Sequence, residues 1–267
     1  MHPLLNIAVR AARRAGEIIV RSLVRLEGLD VTTKGRNDFV SEVDRAAERA
    51  IIEEIRRLYP QHAFLAEESG PSGSNETVWI IDPLDGTTNF LHGFPVFAVS
   101  IACEVRGRLE HAVVWDPMRQ EMFTASRGGG AHLENRRIRA SGQRGLEGAL
   151  IATGFPYRDD SPDVDVYLAM FREVMVHTAG IRRPGSAALD LAYVAAGRVD
   201  GFWELGLKSW DTAAGALLVQ EAGGRVSRVD GGDYHHSHGD VLAASPKVYD
   251  ALVALLQPHV PAALRSV

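Results

Sequence analysis

The chain has 267 residues, 46% of them hydrophobic and 24% charged, with a formal net charge of −5. These proportions suit a soluble globular protein with a sizeable core, and the length suits one large domain or two closely joined ones. The negative balance argues against broad nucleic-acid affinity, and no run approaches the roughly 18 apolar residues of a membrane span.

The first residues, Met1-His2-Pro3-Leu4-Leu5-Asn6, have neither a basic stretch nor a long apolar one, so no secretory signal is expected. Cys103 is the single cysteine and can form no intramolecular disulfide, which suits a reducing compartment. The expectation is a soluble cytoplasmic protein. Residues 3 to 26 place Leu4, Ile7, Ala8, Ala11, Ala15, Ile18 and Ile19 at helical spacing, with Arg10, Arg14, Arg21 and Arg25 on much of the opposite face. That basic stripe reads as a solvated face. Val31-Thr32-Thr33 is a short strand candidate. Ser41 to Tyr59 is a second amphipathic helix, capped near Ser41, turned inward at Val43, Ala47, Ala50, Ile51, Ile55 and Leu58, and followed by Pro60.

Two short strands then end in acids. Ala63-Phe64-Leu65-Ala66 delivers Glu67-Glu68-Ser69-Gly70, and Trp79-Ile80-Ile81, apolar enough to be buried on both faces, delivers Asp82-Pro83-Leu84-Asp85-Gly86-Thr87-Thr88. Acids at the end of a core strand must be paired or coordinated to be tolerated there. Sequential strands are usually neighbours, so these acids should converge. Pro83 and Gly86 shape a loop whose amides can open a helix, and a helix N-terminus favours a phosphate. The stretch reads as a metal-and-phosphate site.

Val96–Val105, Leu109–Trp115, Glu121–Ala125 and a piece near Ala131-His132-Leu133 form an antiparallel meander by loop length. Gly128-Gly129-Gly130 lacks the Lys-Ser/Thr ending of the nucleotide loop and reads as a hairpin turn. After about Ser141 strands and helices alternate: Ala149–Thr153, Asp165–His177, Gly180–Arg183, Ser186–Ala196, Val199–Glu204, Asp211–Ala222, Val241–Ala244 and Lys247–Leu256. The reading is one compact unit of two subdomains, α+β over residues 1–142 with the metal and phosphate loop, then α/β over 143–267. Asp211 opens a helix that ends in Gly223-Gly224. His235-His236-Ser237-His238 could bind a metal by composition, but its Asp/Gly/Ser-rich surroundings read as an exposed loop.

Glu67-Glu68-Ser69, Trp79 through Phe90 and Trp210 through Gly224 together resemble the signature segments of the inositol monophosphatase family of magnesium-dependent, lithium-sensitive phosphatases. Arg183-Pro184-Gly185-Ser186-Ala187-Ala188-Leu189-Asp190-Leu191-Ala192-Tyr193 and Gly201-Phe202-Trp203-Glu204 are similar to its bacterial, extragenic-suppressor branch. The resemblance covers nearly the whole chain. It implies a layered α/β/α/β/α sandwich, commonly a homodimer.

It also implies that Glu67, Asp82, Asp85 and Asp211, with the backbone carbonyl of Leu84, hold two or three Mg²⁺ ions per subunit. Thr87 would help Glu67 orient a water, and the amides of Gly86 and Thr87 would hold the phosphate. Gly185, Ser186, Ala187 and Glu204 would contact the polyol, and Asp44 would be a further carboxylate near the metals. Oxygen donors without His or Cys suit Mg²⁺ independently of any resemblance. No Ser or Cys nucleophile with a His partner is visible, so direct hydrolysis is expected. The implied substrate is myo-inositol monophosphate or a related polyol phosphate; fructose 1,6-bisphosphate, histidinol phosphate and 3′-phosphoadenosine compounds are sister substrates. A second reading, also implied by the bacterial branch, is a binding protein of RNA polymerase and antitermination complexes.

Overall fold

The structure is a computed structural model that describes residues 2–35, 38–155 and 164–261. Its helices and strands fall into five layers. The first layer is α1 (Pro3–Ser22) and α2 (Glu42–Arg56), which lie against each other and against a mixed eight-stranded sheet. That sheet contains β3 (Ala63–Ala66), β4 (Gly70–Ser72), β5 (Thr77–Asp85), β6 (Ala98–Val105), β7 (Arg108–Asp116), β8 (Glu121–Ser126), β9 (Gly130–Leu133) and β10 (Arg136–Arg137), in the order β10-β9-β8-β7-β6-β5-β3-β4. Its other face carries α5 (Ala187–Ala195) and α6 (Ser209–Glu221).

Those two helices also touch a five-stranded sheet of β11 (Leu150–Thr153), β12 (Gly180–Arg182), β13 (Gly201–Leu205), β14 (Arg225–Ser227) and β15 (Asp240–Ala244), ordered β12-β11-β13-β15-β14. The outermost layer is α4 (Val164–His177) and α7 (Pro246–Leu256). The remaining pieces are a small hairpin of β1 (Val31–Gly35) and β2 (Asp38–Ser41), and a one-turn helix, α3 (Thr87–Leu91). The layered α/β/α/β/α sandwich is the fold.

Side-chain alternation explains why the Trp79-Ile80-Ile81 run of β5 is wholly apolar. Trp79 and Ile81 point into the core beneath α1 and α2, whereas Ile80 points into the core beneath α5 and α6. The central layer is tight. α6 is buried nearly all round, and a Cβ on Gly215 would fall 2.4 Å from Leu191 Cβ on α5.

Several boundaries differ from the sequence reading. α1 stops at Ser22, and Leu23–Gly28 continues as a 3-10 segment interrupted at Arg25. α2 stops at Arg56, so Leu58 lies beyond it and is exposed. The arginine stripe is not wholly solvated: Arg10 pairs with Glu54, and Arg14 with Glu53 and Glu54, all across the α1–α2 seam. The antiparallel meander is as expected, and β3 beside β5 is parallel. β2, β4, β10 and β14 are too short to show a period in sequence.

Candidate metal and phosphate site

Because β3 and β5 are parallel neighbours paired at Ala66 and Ile81, they end side by side. The Glu67 amide donates to Ile81 O at 3.1 Å, so Glu67 leaves β3 level with Asp82 on β5. The turn after Glu67 is fixed from α2, where the buried Glu48 carboxylate accepts from the amides of Glu68 and Ser69 at 2.8 and 2.9 Å. Of the two glutamates, Glu67 lines the cleft described below.

Asp82 and Asp85 are three residues apart, which in a regular strand would send them to opposite faces. The pairing with β6 is irregular there: Asp82 pairs with Ser100 and Asp85 with Ala98, so three steps on β5 match two on β6. This bulge returns both carboxylates to one side, and Pro83, which has no amide hydrogen, suits its irregular ladder. Asp82 Oδ1 accepts from the Leu84 amide at 3.0 Å. Asp85 Oδ2 accepts from Ser186 Oγ at 2.6 Å and from the Ala188 amide at 2.8 Å, both at the start of α5. Asp211, in the first turn of α6, accepts from the Lys208 amide at 2.7 Å. Ser100 Oγ donates to Trp210 O at 3.1 Å and holds that helix end on β6.

Asp82, Asp85 and Asp211 are all buried and offer carboxylate oxygens within 4.8 Å of one another. Burial and the charges of Glu67, Asp85 and Asp211 push the Asp82 carboxyl well above its ordinary range. Nothing but oxygen is offered, the donors are held by backbone amides and hydroxyls, and the negative charge is in excess. This set fits a hard divalent cation, which would remove the repulsion that raises Asp82.

Gly86 follows with φ +97°, and a Cβ there would fall 2.9 Å from Val96 O and 3.2 Å from Gly185 O. Both the left-handed backbone and the lack of space demand glycine. α3, opened by Gly86, has only five residues, so the amides at its start matter more than any helix dipole. Thr87 Oγ1 is placed to donate to Asp44 Oδ1 at 2.8 Å and Leu84 O at 3.1 Å. Asp44 is therefore behind the cleft and not on its wall. It also accepts from the Ser41 amide and hydroxyl at the start of α2, and burial raises its carboxyl.

One cleft is lined by Glu67, Asp82, Leu84, Asp85, Gly86, Thr87, Gly185, Ser186, Ala187, Glu204 and Asp211. Of the residues that the resemblance pointed to, all but Asp44 thus share a single wall system. Ser186 differs in one respect from a substrate contact: its hydroxyl is committed to Asp85.

Other lining residues had no assigned role in sequence. Asn89 Nδ2 donates to Val96 O and Pro184 O at 2.7 and 2.9 Å, joining the acid loop to the turn before α5. Gly154 lies flat against Glu204, since a Cβ there would fall 2.0 Å from Oε1. Asp190, also on the wall, is buried, its Oδ1 has no hydrogen-bond partner among the described residues, and burial with the charge of Glu204 raises its carboxyl well above the ordinary range. An aspartate inside the apolar run Ala187–Ala195 was the available signal for it.

The likeness to known proteins extends over the whole chain. A family model described as the inositol monophosphatase family matches residues 1–261. The Nus factor SuhB of Pseudomonas aeruginosa is 58% identical over 270 residues, covering 99% of this chain and 100% of that protein. Among solved structures, the extragenic suppressor protein suhB of Bartonella henselae superposes with a TM-score of 0.93 at 45% identity, over 97% of this chain and 100% of that one. The inositol monophosphatase of Anabaena superposes with a TM-score of 0.86 at 40% identity, over 97% of both chains. The order of the acid segments, the five layers and this full-length likeness agree, and the chain belongs to the inositol monophosphatase family.

Proposed function

We propose that this chain is a Mg²⁺-dependent phosphomonoesterase acting on a phosphorylated polyol, with myo-inositol monophosphate as the leading substrate. The observation that carries the reading is the convergence of Asp82, Asp85 and Asp211, buried and mutually repelling, on one cleft with Glu67 and Glu204. Glu67, Asp82, Asp85, Asp211 and the Leu84 carbonyl would hold the ions. Bound there, Mg²⁺ would supply Lewis-acid stabilisation of the charge that develops on the phosphoryl and leaving oxygens.

The chain's own groups do the rest. The amides of Gly86 and Thr87, at the start of α3, would hold the phosphate. The Thr87 hydroxyl directs its hydrogen to Asp44 and Leu84 O, leaving oxygen lone pairs that can accept from a water beside Glu67. A water oriented in this way would be held ready to attack a phosphate bound in the cleft. The cleft lining contains no cysteine or histidine among the described residues. Cys103 is buried elsewhere, with its thiol pushed up to about 12, so direct hydrolysis is the expected course. Glu204, acceptor-only when ionised, can take hydrogen bonds from two neighbouring substrate hydroxyls.

Phosphate release from a panel of inositol monophosphates, fructose 1,6-bisphosphate, histidinol phosphate, 3′-phosphoadenosine compounds and an aryl phosphate tests this reading. Polyol phosphates should be preferred, and lithium should inhibit by competing for a Mg²⁺ position. No release from any of them would overturn it. The same reading implies a homodimer, which sedimentation checks.

One observation favours a second role: a relative 58% identical over its whole length is named a Nus factor. On this reading the chain also associates with the transcription machinery. Arg10 and Arg14 contribute little to it, because they pair with Glu53 and Glu54 within the molecule. Retention of purified RNA polymerase on the immobilised chain would support it, and absence of retention would count against it.

A further inference from the structure

The histidine cluster reads as an exposed loop in sequence, which is so for His235, Ser237 and His238 but not for His236. His235 and His236 lie between β14 and β15 and stack on each other with ring centroids 4.3 Å apart. His236 turns inward to Glu104 of β6, a residue 132 positions away, with Nε2 2.9 Å from Oε2. Their side chains are only 11% and 16% exposed. With Nε2–H donated to Glu104, the Nδ1 lone pair of His236 is buried with no hydrogen-bond partner among the described residues. One donor atom from each of Glu104, His235 and His236 lies within 4.8 Å of the others.

We infer that Glu104, His235 and His236 form a second metal site, separate from the acidic cleft and selective for a borderline transition ion such as Zn²⁺. Two imidazoles with one carboxylate favour Zn²⁺, Ni²⁺ or Cu²⁺ over Mg²⁺, the reverse of the all-oxygen cleft. Ligands at about 2.0–2.2 Å from a tetrahedral ion stand roughly 3.3–3.5 Å apart. The His236–Glu104 pair needs only a small opening to reach this separation, and His235, being exposed, can close the remaining gap by a side-chain rotation. Burial disfavours the charged His236 imidazole, and ligation through Nε2 requires the neutral tautomer that carries its proton on Nδ1.

The location gives the ion a structural task. Asp82 pairs with Ser100, and Glu104 lies four residues further along β6, about 13 Å from Ser100 along the strand. The His loop therefore reaches the eight-stranded sheet at a point removed from the acids. An ion there would clip the β14–β15 connection of one sheet to β6 of the other. The neighbouring Tyr234 already donates to Thr212 Oγ1 at 2.9 Å, beside Asp211 on α6. Zn²⁺ should thus raise the melting temperature.

The alternative is that the Glu104–His236 hydrogen bond is a latch with no metal function. Calorimetric titration of the EDTA-stripped full chain with Zn²⁺, in millimolar Mg²⁺ to occupy the acidic cleft, separates the two. One Zn²⁺ per chain is expected, with a rise in melting temperature. His235→Ala and Glu104→Gln should each weaken binding by at least about 100-fold, the upper range for loss of a mere supporting partner. Asp82→Asn should leave the Zn²⁺ event intact. Equal Zn²⁺ affinity in wild type, His235→Ala and Glu104→Gln overturns the proposal. So does loss of the event in Asp82→Asn, or a melting temperature that falls equally in these variants with EDTA and with Zn²⁺.

Discussion

Ser186 Oγ donates to Asp85 Oδ2 at 2.6 Å, across 101 residues of sequence and between the central helical layer and the eight-stranded sheet. This bond, with the Ala188 amide on the same oxygen, fixes the Asp85 carboxylate proposed to hold an ion. Removing such a supporting partner ordinarily costs about 10–100-fold in metal affinity or activity. Ser186→Ala should therefore raise the Mg²⁺ concentration needed for half-maximal phosphate release by that range, with little change in rate at saturating Mg²⁺. An unchanged Mg²⁺ requirement would mean that Ser186 has no bearing on the metal site.

A pH-dependent stability effect follows from Asp82. Burial and neighbouring carboxylates raise its carboxyl above the ordinary 3.8 in the metal-free fold, so the native state holds the proton more tightly than the unfolded chain. Its contribution to stability is present below 3.8 and is lost as pH rises through the folded value. Asp82→Asn removes that loss. In EDTA the variant should melt above wild type at pH 8, by roughly 2–4 °C per kcal/mol of repulsion relieved, and the gain should vanish near pH 4. With saturating Mg²⁺ the order should reverse, because only wild type gains the binding term of about 2.7 kcal/mol at 100 times Kd. Thermal scans at two pH values, with and without Mg²⁺, check both signs.

Much of this site was legible because it is built from short runs of chemically marked residues. Acids at the ends of apolar strands, glycine after them and an acid opening a helix are visible without coordinates. What the sequence could not show depends on register and on distant partners. The bulge that puts Asp82 and Asp85 on one side needs the pairing with Ser100 and Ala98. Glu48 looks like any helical glutamate until it meets the Glu68 and Ser69 amides. Glu104, on a strand, and His236, in a loop, acquire meaning only when the fold joins them. Leu58 failed for a simpler reason, since the apolar period ran on past the point where α2 ends.

Glu204 and Gly154 supply a test of substrate class. A Cβ on Gly154 would overlap the Glu204 carboxylate, so Gly154→Ala should displace it without removing its charge. Both Gly154→Ala and Glu204→Ala should raise KM for inositol 1-phosphate about 10-fold or more, as expected when a hydroxyl-binding group is lost. Neither should much alter turnover of a small aryl phosphate that does not reach Glu204. Equal losses on both substrates would assign Glu204 to the fold or the metals and remove the support for a polyol.

The buried acids are proposed to make this chain a metal-dependent phosphatase. Phosphate release from inositol 1-phosphate should be measured for wild type and Asp82→Asn, each in Mg²⁺ and in EDTA. Turnover is expected only for wild type in Mg²⁺, with Asp82→Asn at least about 100-fold slower although folded. Comparable turnover in EDTA, or by Asp82→Asn in Mg²⁺, would contradict the proposal.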